Sequence, residues 1–161
     1  MQNTHKIALY SMLIAVAMVL SWVESQIPFS LPVPGMKLGL TNIVVLIALY
    51  KLGNKDALIL NIVRVILVGI TFTNTFSMVY SLSGAIISFI IMVLFKKFNF
   101  HQIIVSIAGG IGHNVGQIMI AMIFLSTKII GYLPFLWISG IISGAIIGML
   151  SGLILKRIPT L

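Results

Sequence analysis

The sequence predicts an all-α integral membrane protein: a single domain, a compact bundle of about six transmembrane helices, with both termini cytoplasmic. Three observations carry that prediction. Sixty per cent of the residues are apolar and 7% are charged, whereas soluble domains run near 45–50% apolar and about a quarter charged. So much apolar surface cannot be hidden from water in a chain this size, and lipid must solvate part of it. The 161 residues accommodate roughly six apolar stretches of about 20 residues with short loops. Finally, the basic residues stand singly or in pairs at the ends of those stretches, the pattern that orients a membrane protein.

The elements follow in order. The first span covers residues 7–23. A stiff, extended loop follows, containing Pro28, Pro32, Pro34 and then Gly35, because proline fixes φ and lacks an N–H. The second span, 38–52, is short for a bilayer and ends at Gly53. Asn54 is placed to cap the third span, 57–72, with Asp56 in its first turn. The turn Thr73-Asn74-Thr75 leads to the fourth span, 78–95, and Lys96, Lys97 and His101 mark the next loop. The fifth span covers 103–125. The sixth covers 135–155, with Pro134 at its start, where the first helical turn tolerates proline.

With six spans, Lys6, Lys51, Lys55, Lys96, Lys97, Lys156 and Arg157 fall on one side and only Lys37 and Lys128 on the other. That bias makes the first side cytoplasmic. Trp22, Tyr132 and Trp137 then fall at the outer interface, as an aromatic belt does. The net charge of +8 is explained by this asymmetry, and nucleic-acid binding is not expected. There is no cysteine, which excludes disulfides, thiolate metal sites and cysteine nucleophiles. The first apolar run is too long for the core of a signal peptide and is read as a span.

Arg64 is the sharpest functional signal. An arginine at the centre of a span costs about 2.5–3.5 kcal/mol on insertion scales, so it must face a cavity or a polar partner. Asn61, three residues earlier, shares its helical face. Two readings follow: an arginine satisfied by carbonyls and Asn61 that ties helices together, or a ligand for an anion or carbonyl in a substrate pocket. The run AGGIGHNVGQ is the second signal. His113 and Gln117 are four residues apart and Asn114 lies between them in angle, so three hydrogen-bonding side chains line one side of the fifth span. Gly109, Gly110, Gly112 and Gly116 leave room for another backbone or a ligand. A lone histidine among amides does not make a metal site, and none is expected.

Glu24 and Lys37 bracket the proline loop; each could close over an outward pocket or be a solvated interfacial charge. Asn42, early in the second span, is placed to point inward. Gly140, Gly144, Gly148 and Gly152 recur every four residues along the sixth span, a surface for close helix packing. Ser11 with Ala15, and Ala17 with Ser21, give the first span small-residue pairs that could face another subunit. There is no P-loop lysine motif, so ATP is not bound in that manner. The two acids, Glu24 and Asp56, fall at different membrane faces, and magnesium-dependent prenyl transfer normally needs several clustered carboxylates. The chain is therefore expected not to be an enzyme and to need no cofactor.

The stretch PGMKLGLTNIVVLIAL, then NIVR, then GGIGHNVGQ and the glycine-spaced last helix resemble the Gx transporter family, often labelled heptaprenyl diphosphate synthase component I. The resemblance covers essentially the whole chain. That family is in turn similar to the substrate-binding membrane subunits, or S components, of energy-coupling factor transporters. The resemblance implies a six-helix subunit in a bacterial plasma membrane that binds a small molecule and works with a scaffold membrane subunit and two ATPases. It implies that the first helix, at Ser11 and Ala15, meets the scaffold. The expected ligand site is Arg64, Asn61, His113, Asn114 and Gln117, with Lys37 and Asn42 near the proline loop. Arg64 and Lys37 favour an anionic or carbonyl-rich ligand, such as an isoprenoid-, quinone- or flavin-related compound. Two alternatives remain: a non-catalytic membrane subunit of a prenyl diphosphate synthase, and a freestanding small transporter.

Overall fold

The computed structural model describes residues 2–26, 39–124 and 127–157. Six helices follow one another: α1 (Gln2–Gln26), α2 (Asn42–Lys51), α3 (Asn54–Phe72), α4 (Thr75–Lys97), α5 (Gln102–Phe124) and α6 (Leu133–Leu155). Four stretches, Lys6–Gln26, Thr75–Lys97, Gln102–Phe124 and Thr127–Leu155, are long and apolar enough to cross a membrane. At 19 residues, α3 measures about 28 Å along its axis. Its polar and charged residues, Asn54, Lys55, Asp56, Asn61 and Arg64, lower its hydropathy. The bundle is the all-α membrane fold that composition predicts.

The second span differs from the expected 38–52. α2 has only 10 residues, about 15 Å, half the hydrocarbon thickness. It is also enclosed by protein: every residue from Ile43 through Leu49 is buried. A helix apolar on all sides is one surrounded by other helices, and its neighbours are α1, α3 and α6. Before it, Gly39 takes a left-handed φ of 73°, and the backbone of Gly39, Leu40 and Thr41 accepts from the N–H groups of Asn42, Ile43 and Val44. Non-helical backbone at membrane depth is tolerated where protein buries it or a cavity meets it.

Three local expectations are corrected. α3 is preceded by Gly53, with φ 94°, and Asn54 is its first helical residue without a side-chain cap; the glycine conformation ends the preceding turn and leaves the asparagine exposed. The side-chain cap lies instead on α4, where Asn74 accepts from the N–H of Ser77 at 2.8 Å. A 3-10 turn over Thr127–Tyr132 precedes α6, in a stretch read from sequence as loop. On α1, Ala17 and Ser21 are buried in the bundle, 0% and 7% exposed, and so do not face another subunit. Ser11 and Ala15 do lie on the exposed side of α1.

Glycines set the tightest contacts. A methyl group at Gly110 of α5 would lie 2.5 Å from the Gly140 carbonyl oxygen of α6. Gly144 and Gly148 lie equally close to Ile107 and Ile103, and Gly152 accommodates the Gln102 amide. The four-residue glycine stripe of α6 is thus the surface on which α5 rests. The other face of α5 meets α4: Gly112 and Gly116 lie against Ser88, Ile91, Ser83 and Gly84. Ser83 Oγ donates to the Gly116 carbonyl at 2.8 Å.

At one end of the bundle, Lys6 pairs with Asp56 at 2.5 Å, bringing the starts of α1 and α3 together. Lys96 donates to the Leu49 carbonyl at 2.5 Å and lies 5.1 Å from the Tyr50 ring centroid, tying the ends of α4 and α2. The strict up-and-down alternation brings Lys51, Lys55, Lys97, Lys156 and Arg157 to the same end, with Lys128 at the other.

Candidate functional site

α3 positions Arg64 ten residues into the helix, about 15 Å from its basic end and level with the start of α2. The side chain is 6% exposed. Its Nη2 donates to Asn61 Oδ1 at 2.7 Å and its Nη1 donates to Thr41 Oγ1. Asn61 in turn donates to the Ala85 carbonyl of α4 at 3.2 Å. Asn61, 2% exposed, is therefore occupied on both sides and lines neither chamber of the cavity described below. It orients the guanidinium. The Nε–H of Arg64 has no acceptor among the described residues, and a guanidinium carries five donors in all.

Arg64 opens onto an outer chamber of about 620 Å³ of empty space, counted with its open mouth. Thr41 and Asn42 from the start of α2, Ser21 and Glu24 from α1, and His113 and Gln117 from α5 share its wall. Glu24 resolves in favour of the pocket: it is 9% exposed, its Oε1 accepts the Gly39 N–H at 2.5 Å, and its charge acts on Arg64. α2 begins at mid-depth beside this chamber, with the N–H groups of Asn42, Ile43 and Val44 bonded to the carbonyls of Gly39, Leu40 and Thr41.

Behind it lies an inner chamber bounded by α2, α4, α5 and α6, about 510 Å³ of empty space when its open side is counted. Gly39, Asn42, His113 and Gln117 line both chambers. Asn114 lines the inner one and donates to the Leu136 carbonyl of α6 at 2.5 Å. Ser88, Ser106 and Ser143 supply hydroxyls, and Leu46, Met92 and Ile147 an apolar wall.

The structure thus brings together Arg64, Asn42, His113, Asn114 and Gln117, with Asn61 one layer behind. Lys37 lies outside the described residues. Sequence reasoning missed Thr41, although it adjoins Asn42 at the start of an unusually short span. It also missed Ser88 and Ser106 of the inner chamber, which in sequence are isolated hydroxyls in apolar helices, and read Ser143 only as a small residue beside the α6 glycine strip. Gly140 meets Asn114 and Gly110, and Gly144 forms part of the inner wall. Gly148 and Gly152 pack farther toward the basic end.

The family model for heptaprenyl diphosphate synthase component I matches residues 13–154, from the fourth turn of α1 to the last turn of α6. No curated protein and no solved structure matches the chain. With the match running through every helix that builds the two chambers, the chain belongs to the heptaprenyl diphosphate synthase component I family.

Proposed function

We propose that the chain is a membrane-embedded binding subunit that holds a small molecule in the two-chambered cavity, with Arg64 as the group that recognises an acidic or carbonyl end. The observation that carries this reading is the buried guanidinium itself. It is held from two sides by Thr41 and Asn61, faces an open cavity and keeps donors in reserve. An arginine whose role was to tie helices would need no chamber beside it. In this reading the chain acts as the S component of an energy-coupling factor type transporter in the bacterial plasma membrane. Other chains supply a scaffold membrane subunit and a pair of ATPases.

The family's name favours a second reading, a non-catalytic membrane component of a prenyl diphosphate synthase. A catalytic role is not proposed. Glu24 lies at one end of α1 and Asp56, paired with Lys6, at the other, about 27 Å apart along the helix. The two acids do not converge on one magnesium ion.

Native mass spectrometry of gently extracted protein tests the binding reading. A retained small molecule should be present in the wild type and absent from Arg64→Ala. Undiminished retention by folded Arg64→Ala would overturn the assignment. Co-purification separates the assemblies: an ATPase pair supports the transporter reading, a soluble synthase the second reading, and the chain by itself a freestanding transporter.

A further inference from the structure

Met78 of α4 lies across Gly69 of α3, and both line the outer chamber. A methyl group at Gly69 would lie 2.7 Å from Met78 Sδ and 2.8 Å from its Cβ, and closer still to its Cγ. The thioether arm is therefore laid flat in a notch that only a bare α-carbon leaves. The Met78 backbone is fixed, since its N–H donates to the Asn74 carbonyl at 2.9 Å in the capped first turn of α4. Gly69 stands five residues beyond Arg64 on α3, about 7.5 Å farther from the basic end. The pair thus borders the chamber between the α3–α4 turn and the guanidinium. Taking the cavity as the binding site proposed above, we infer that Gly69 and Met78 are its specificity-determining pair: the notch holds the Met78 side chain out of the approach to Arg64 and so sets the size of what reaches it.

Glycine inside a helix weakens it relative to alanine, so its presence there calls for a packing reason. The three atoms nearest to the missing methyl all belong to Met78, which supplies that reason. Methionine is unbranched and flexible. Turned out of the notch, its side chain has the chamber beside it. The device repeats on the same helix. Met92, fourteen residues on, lies over Gly109 of α5, where a methyl would be 2.6 Å from its Cγ, and both line the inner chamber. Fourteen residues are close to four turns, so both methionines stand on the cavity side of α4. A filter of this kind acts on width and is indifferent to the charge of the ligand.

The test uses the detergent-purified full chain, which has no native cysteine, carrying Val65→Cys beside Arg64 in the chamber wall. Two uncharged thiol reagents, methyl methanethiosulfonate and the bulkier benzyl methanethiosulfonate, report the width of the approach. Gly69→Ala should slow the benzyl reagent at least about tenfold and the methyl reagent less than about threefold, because crowding acts more strongly on the larger of the two. Gly69→Ala combined with Met78→Ala should restore the benzyl rate. Met78→Ala alone introduces no crowding, so it covers the case in which Gly69→Ala fails to fold. It should speed the benzyl reagent at least about threefold and leave the methyl rate unchanged. Equal slowing of both reagents, no slowing of either, or no recovery in the double variant would overturn the inference, as would an unchanged benzyl rate in Met78→Ala. In the mass spectrometer, Gly69→Ala should lose the molecule that the wild type retains and the double variant should regain it; undiminished retention by folded Gly69→Ala would likewise overturn it. If size selection holds but folded Arg64→Ala keeps the molecule, the binding reading fails and the filter stands. If Arg64→Ala loses the molecule but size selection is absent, the filter fails by itself.

Discussion

At the scale of the residue, the chain Thr41–Arg64–Asn61–Ala85 ties α2, α3 and α4 at mid-depth. Asn61→Leu leaves one guanidinium edge without its partner and removes a second bond from the Ala85 carbonyl, which keeps its place in the α4 helix. It should lower unfolding stability by about 1–2 kcal/mol, between the averages for hydrogen bonds inside membranes and the cost of a buried orphan group. A denaturant titration in mixed micelles measures it, and a loss under 0.3 kcal/mol would count against the positioning role. At the basic end, hydrogen bonds from Lys6 and Tyr10 hold the Asp56 carboxyl below its usual range. A lowered value in the folded state adds stability that is present above the ordinary aspartate range and is lost as pH falls through the folded value. Melting temperature should therefore fall between pH 5 and pH 3 in the wild type, and less steeply in Asp56→Asn. Arg64 was legible in sequence because an ionised group at mid-span has one set of explanations. Thr41 was not, since its role depends on how far α2 fails to reach.

At the scale of the element, the contact between α5 and α6 is made by backbone approaching backbone. Gly110→Ala sets a methyl 2.5 Å from the Gly140 carbonyl oxygen, and neither side can yield without moving a helix. A loss of about 1–3 kcal/mol is expected, as for overpacked cores. Gly131→Ala, where a methyl meets nothing within 4 Å, should stay within about 0.5 kcal/mol of wild type. Equal melting temperatures for the two variants would contradict the packing described. The glycine stripe on α6 could be read directly, because a four-residue repeat keeps one face. The division of the α5 glycines between two neighbours could not. Gly109, Gly112 and Gly116 turn to α4 and Gly110 to α6, a choice fixed by the angle between three helices. Helix ends were found to within five residues, the largest differences being the starts of α1, at 2 against 7, and of α2, at 42 against 38, where apolar residues before Asn42 hid the change to irregular backbone.

At the scale of the whole molecule, membrane class and helix number follow from composition and spacing alone, since lipid leaves helices few alternatives. The sequence-based orientation can be tested on intact cells. The chain has no cysteine, so single cysteines label without background. Lys128→Cys should react with a membrane-impermeant maleimide from outside and Lys97→Cys only after the membrane is opened; the reverse pattern would invert the topology. What composition could not reveal is the cavity, because it arises where one helix, α2, stops short among its neighbours.

That truncated helix has an electrical consequence. The outer chamber reaches down to Arg64 and the inner chamber lies alongside α2, so the insulating thickness beneath them is no more than the length of α2, about 15 Å. Membrane voltage then drops mainly across that lower half. A solute reaching the guanidinium from the open side crosses little of the field, so its docking should be nearly indifferent to an imposed potential. Release toward the basic end would have to traverse almost all of it.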